Sequence, residues 1–453
     1  LTRPARVRKP ARRGPLAFEP LEAREVPATF YWVGDVDHYY HKAANWTQST
    51  DPNNKPDAMT PPPPGSDVRF DGRYSSANCF WGNGPSSHAA LRLVNDYTGT
   101  LTLGPALTVE SFDLQSGKVD QDTTSILTVT GSMTWTGGEL DSTPATPSQV
   151  VVTGSGTVAT ILNRDGPGTT VLQTADTIRV EWGAELRFGY GTVNFNAAGG
   201  IRVSSLAKAS VVADGATRKL ALTRANETIS PVVTLETGGQ YVVDRATPDS
   251  PIGSPHTSQL PFLNNAGTLE IRGGVHMTVS GRLPNDGPSV RQTGGGAKTR
   301  QTCGSTLQVP FGYDLNWGSY TTIVNVDGSN ADLAGNLTLS GSGAVVNFER
   351  VGTNCGTFQV LGTVDWSAGE YRPTVGVVGS TPKGCLWKAT GRITVGANAR
   401  FGVLDTFGAI LPGHVWYILE STTEIVGGPP AAPANHQIEQ VGNPVKRWQL
   451  RRT

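Results

Sequence analysis

Apolar and polar positions alternate along most of this chain in runs of four to six residues, and glycine-bearing corners separate the runs. Residues 127–140 read LTVTGSMTWTGGEL, and residues 358–371 read FQVLGTVDWSAGEY. Val129, Gly131, Trp135, Gly138 and Glu139 match Val360, Gly362, Trp366, Gly369 and Glu370 at a constant offset. VVVTGSGTVATI at 150–161 and LTLSGSGAVVNF at 337–348 repeat the same grammar. A helix buries every third or fourth residue, so a period of two with frequent glycine corners predicts strand, corner, strand. A unit of that size cannot bury one face alone and must stack on copies of itself. The expectation is an all-β chain, a right-handed parallel β-helix (β-solenoid) with an N-terminal cap and lateral loops.

The pattern divides the chain. Residues 1–28 are a basic Pro/Arg-rich leader or arm, 29–87 an N-terminal cap, and 88–426 the solenoid. Loops are predicted at 245–260 and 283–304, where the rhythm breaks. Residues 427–453 read as a Pro/Ala linker with a basic tail. Composition agrees: 55 Gly and only 3 Met favour short strands and tight turns over helices. The formal net charge is zero, which leaves no bulk attraction for nucleic acid, and no apolar run is long enough to span a membrane.

Two resemblances add to this reading. Phe18-Glu19-Pro20-Leu21-Glu22-Ala23-Arg24-Glu25-Val26-Pro27-Ala28 resembles the LEPR-type leader of extracellular proteins from planctomycete bacteria, and implies export. Thr29-Phe30-Tyr31-Trp32-Val33-Gly34-Asp35, Lys42-Ala43-Ala44-Asn45-Trp46 and Pro64-Gly65-Ser66-Asp67-Val68-Arg69-Phe70 resemble the opening unit of secreted β-helix proteins of the adhesin and autotransporter-passenger type. In such a cap Trp32 and Trp46 cover the first rung, while Asn45 and Asp67 fix turns by local hydrogen bonds.

Candidate chemistry is sparse. The chain carries no GxSxG elbow, P-loop, HExxH or EF-hand loop. His38 and His41 have metal-ligand spacing, though a polar patch on a cap is the commoner use of such a pair. Asp35, Asp37, Asp67 and Asp71 could supply oxygens to calcium. Glu139 and Glu370 could be imagined as a carboxylate pair. In-register repeats would hold them about ten rungs or ~50 Å apart, and a glycosidase needs about 5–9.5 Å. Cys79, Cys303, Cys355 and Cys385 lack CxxC spacing and fit either two disulfides in an oxidising compartment or buried thiols, with Cys355–Cys385 the first pair to consider.

Taken together these features predict a non-catalytic structural or adhesive protein of the cell surface, needing no cofactor. Self-association into a filament is expected, because only a linker and tail follow the last rung and Leu16, Phe18, Leu21 and Val26 could anchor the arm on a neighbour. A surface polysaccharide is a further partner to consider. The competing reading is an extracellular polysaccharide lyase or hydrolase on the same fold.

Overall fold

The computed structural model describes residues 27–104, 106–121, 125–142, 148–162, 171–174, 177–189, 191–195, 200–204, 206–213, 220–224, 233–236, 239–245, 257–260, 263–265, 268–271, 276–279, 290–292, 298–301, 306–315, 321–325, 331–339, 344–348, 357–378, 380–403 and 405–453. The fold is all-β. Among the described residues the only helical element is one turn of 3-10 helix at Ala43–Asn45, and 39 strands join a single mixed sheet.

Pairing follows one rule through most of that sheet: each strand skips two and lies parallel to the third. Gln149–Thr153 pairs with Thr177–Glu181, which pairs with Gly200–Val203. Val158–Ile161 pairs with Glu185–Phe188, and that strand with Lys208–Ala213. Val171–Thr174 pairs with Gly191–Phe195, and that strand with Leu220–Arg224. Three columns of strands result, called A, B and C in that order, and the chain visits them in turn.

Alternation sets which side of each strand is buried. Thr100–Leu103 buries Leu101 and Leu103 and leaves the threonines half-buried. In column B the register stacks Val68, Leu91, Phe112, Met133, Ala159 and Leu186 directly on one another, all buried. Each fully buried aliphatic or aromatic side chain contributes about 1.5–3 kcal/mol of transfer free energy. Among the described residues one apolar cluster has members from Phe30 to Leu450.

Antiparallel pairs lie at the two ends of the sheet. Thr29–Trp32 pairs in parallel with Asp67–Asp71 and antiparallel with Trp46–Thr47. At the other end His436–Val441 and Arg447–Arg452 form a hairpin, whose second strand runs antiparallel to Val415–Ser421. A small separate sheet joins Thr374–Val378, Thr381–Gly384 and Asp405–Phe407.

Three segment expectations change. The stretch 283–304 is not a plain loop, for Val290–Gln292 and Lys298–Gln301 extend columns A and B. Likewise Thr257–Leu260, within the other expected loop, belongs to column C. Residues 427–453 are not a free tail. Arg447, Gln449 and Arg451 alternate with Trp448 and Leu450, which are fully buried, so a basic composition conceals an ordinary half-buried strand. The N-terminal arm, with Leu16, Phe18, Leu21 and Val26, lies outside the described residues.

Candidate functional site: a charged groove on the first strands of column B

The cap positions the site. Trp32 and Trp46 are both fully buried and meet edge to face at 5.0 Å. Their indole N–H groups donate to the backbone carbonyls of Ala77 (3.0 Å) and Tyr40 (2.7 Å), so each large ring is buried with its polar atom satisfied. Asn45 fixes a turn as expected: its Oδ1 accepts from the Val36 and Asp37 N–H groups, and its Nδ2 donates to Asp37 and to the Tyr39 carbonyl. Asp67 does something else. It lies on the side of its strand opposite Val68 and Phe70, is buried there, and takes two arginines.

Arg69 Nη2 donates to Asp67 Oδ2 at 2.7 Å, and Arg92 Nε donates to Asp67 Oδ1 at 3.2 Å. Register explains the meeting. Asp67 and Arg69 point the same way on one strand, and Arg92 is the in-register partner of Arg69 on the next. Asp113 follows Arg92 in the same row, one strand further on. Arg69, Arg92 and Asp113 thus form a vertical row at the ~4.8 Å strand spacing. A groove of about 490 Å³ opens beside this row, lined by Asp67, Arg69, Arg92, Glu110, Ser111 and Ser132.

Asp113 is the least settled group in the row. Its Oδ2 accepts from Gln115 Nε2 at 2.9 Å, while its buried Oδ1 has no hydrogen-bond partner. Burial pushes its carboxyl up from the ordinary value, against the opposing pull of Gln115 and the Arg92 charge. The groove itself offers the Arg69 and Arg92 guanidinium groups and the Glu110 carboxylate, while Asp113 stands behind Arg92 in the same row and does not line it.

The repeat corners fall as matched pairs. Trp135 and Trp366 are both fully buried, and each indole N–H donates to the carbonyl of the glycine three residues on, Gly138 at 3.4 Å and Gly369 at 3.3 Å. Both glycines hold positive φ, +71° and +82°. Gly131 and Gly362 serve a different need, close approach: a Cβ would stand 2.6 Å from the Glu110 carbonyl oxygen or 2.4 Å from that of Gly335. The two copies do not occupy the same column. Trp135 pairs with Ile161 in column B, whereas Trp366 continues column A through Leu339. The motif encodes a corner, and any corner of the repeat can use it.

Glu139 therefore stands in column C beside Gln173, and Glu370 in column B beside Val345. Nine successive parallel pairings lead from Ser132 to Glu370. At ~4.8 Å each that is about 43 Å, so the two carboxylates cannot act on one bond. Glu370 binds Arg372 instead, at 2.7 Å.

The acids considered for calcium are distributed among different partners. Asp37 accepts from Asn45 and Tyr39, Asp67 pairs with Arg69 and Arg92, and Asp71 with Arg73 and Asn95. Among the described residues no three His, Cys, Asp or Glu side chains stand together in a way that could hold a metal. His38 and His41 flank the ring of Tyr39, at 4.2 and 5.6 Å between centroids. Cys79 is a buried free thiol and Cys385 is buried. Cys303 and Cys355 lie outside the described residues, and the Cys355–Cys385 pairing with them.

Sequence reasoning missed Arg69, Arg92 and Asp113. A signal existed, because Arg69 and Arg92 stand on the polar side of two neighbouring strands, DVRFD and ALRLV. It becomes readable only once the register is known. No protein-family model, curated protein or solved structure matches the chain.

Proposed function

We propose that this chain is a parallel β-helix serving as a secreted, non-catalytic adhesive component of the cell surface, with the column B groove as a contact for surface polysaccharide. The observation that carries the reading is the pairing rule, in which every third strand pairs in parallel and the chain circulates through three columns. A chain that circulates this way builds a shaft whose outward side chains repeat at ~4.8 Å, a spacing suited to a repeating polymer. Right-handed winding is the sense that parallel crossovers take. In the groove Asp67 is bound to two arginines and so is poorly placed to act as a base. The leader and cap resemblances point the same way, toward export and a cell-surface setting.

One edge relevant to self-association is closed. The last rung is expected to be open, yet its column C strand, Val415–Ser421, is covered by Arg447–Arg452. End-to-end growth along that column would require the hairpin to move aside.

One observation favours the lyase or hydrolase reading. Asp113, next to Arg92 in the same row and with its carboxyl pushed up from the ordinary value by burial, has the character a general acid requires. Incubating the protein with acidic and neutral surface polysaccharides separates the readings. Adhesion expects retention of the protein with no shortening of the polymer. Shortening that disappears in Asp113→Asn and Arg92→Gln would establish the enzyme instead.

A further inference from the structure

Among the described residues tryptophan is used in one way almost everywhere. Trp32, Trp46, Trp81, Trp135, Trp366, Trp387, Trp416 and Trp448 are all at most 2% exposed. Trp182 is 71% exposed. It is no misplaced core residue, because it occupies the corner after Thr177–Glu181, where side chains project outward. Its backbone has φ of +52°, a region that bulky residues rarely enter and that costs on the order of 1 kcal/mol. At the equivalent corner one step on stands Leu206, with φ of +65° and 75% exposed. Two large apolar side chains thus stand on neighbouring corners, each on a backbone that would suit glycine or asparagine better. Core packing explains neither.

The two lie on a hollow of about 420 Å³ that also meets Arg179, Glu181, Ser204 and Glu236. Arg179 is paired with Glu181, which leaves Glu236 as the charge to be matched. We infer that the Trp182–Leu206 corner is a binding site for a neutral pyranose saccharide, with the indole and the leucine under the apolar face of the sugar and the flanking polar groups meeting its hydroxyls. The inference names a second site for the adhesive reading and rests on it only for the idea that a polysaccharide is the partner. Charge decides against a stacked nucleobase, since a nucleic acid would bring phosphates toward Glu181 and Glu236. Size decides against another protein, because two apolar side chains ringed by charge fall well short of the ~1,200 Å² that a stable interface buries.

The full chain is titrated with hexasaccharides of β-1,4-glucose, β-1,4-mannose and β-1,3-glucose, with binding read by calorimetry and by tryptophan fluorescence. At least one sugar should bind and change the fluorescence. Trp182→Ala should weaken that binding at least tenfold and Leu206→Ala several-fold, while Trp182→Phe retains part of it. Trp182→Asn is the control for folding: it should leave the melting temperature unchanged or raised, because asparagine tolerates this backbone, and it should still abolish binding. A Trp182→Asn variant that melts clearly lower gives the residue a structural role and overturns the inference. So does binding that Trp182→Ala leaves intact, which would spare the adhesive reading and move its contact elsewhere. Absence of binding to all three sugars overturns it too, as would a concentration-dependent dimer that Trp182→Ala abolishes. In that last case a second copy of the chain is the occupant.

Discussion

At the residue scale, matched neighbours carry most of the information. Trp135 and Trp366 share a buried ring, an indole bond to a glycine carbonyl three residues on, and a left-handed glycine supplying that carbonyl. Replacing either tryptophan with alanine should cost about 3–5 kcal/mol, by lost transfer energy and by the cavity left behind. Equal losses in denaturant unfolding are expected from the two variants, and a difference beyond about 2 kcal/mol would show that the two corners differ energetically. His88 gives a pH-dependent case. It is buried with Nε2 at 3.0 Å from Tyr40 Oη, and burial pushes its pKa down to about 4. The unfolded chain takes up a proton near the ordinary value of 6.5, while the folded chain resists until about 4. The stabilisation is therefore complete above pH 6.5, and falls by about 3 kcal/mol as the pH drops to 4. His88→Gln should flatten that part of the stability–pH profile. A variant whose profile parallels the parent's would place the acid sensitivity in other groups. The corner glycines were legible in the sequence because they recur with the tryptophan. His88 and Tyr40 were not, since nothing in a linear pattern reports that residues 48 apart share a core.

At the scale of elements, what was legible was whatever alternation alone determines. Runs such as 126–130 and 150–153 are strands because every second residue is apolar, and they bury the side the pattern nominates. Where charge masked alternation, reading failed. Lys298–Gln301 reads KTRQ and Arg447–Arg452 reads RWQLRR, yet both pair in register with their neighbours. Backbone pairing to a strand already in place sets such segments, and in Arg447–Arg452 the buried Trp448 and Leu450 add an apolar side that the flanking charges conceal. Trp448 is the anchor of the C-terminal hairpin, fully buried at 6.4 Å from the Trp366 ring. Trp448→Ala should release the hairpin, exposing the edge of Val415–Ser421 and lowering stability by about 3–5 kcal/mol. Sedimentation of the variant should show more self-association than the parent. A variant that remains as monodisperse as the parent would mean that the hairpin is not what protects that edge.

For the whole molecule, the repeat was legible and its phase was not. Among the described residues the step between equivalent positions varies, being 21 residues from Ser111 to Ser132 and 32 from Thr390 to Thr422. Loops of unequal length are absorbed at the corners, so counting residues cannot assign a strand to its column. That is why the copies around Trp135 and Trp366 align in sequence and yet stand in different columns. The groove inherits the same problem. Arg69, Arg92 and Asp113 became neighbours only when the register was fixed, because each belongs to a different turn of the chain.

In the proposed β-helix the chain advances by one strand spacing per circuit. Pulsed electron–electron spin resonance on column B tests it directly, with the native cysteines replaced. Labels are placed at Ser132 and Lys208, three pairings apart, and at Ser132 and Arg400, ten pairings apart. At ~4.8 Å per pairing the expected separations are about 14 Å and about 48 Å. A Ser132–Arg400 separation below about 30 Å would mean that the chain folds back on itself, and would contradict the parallel β-helix.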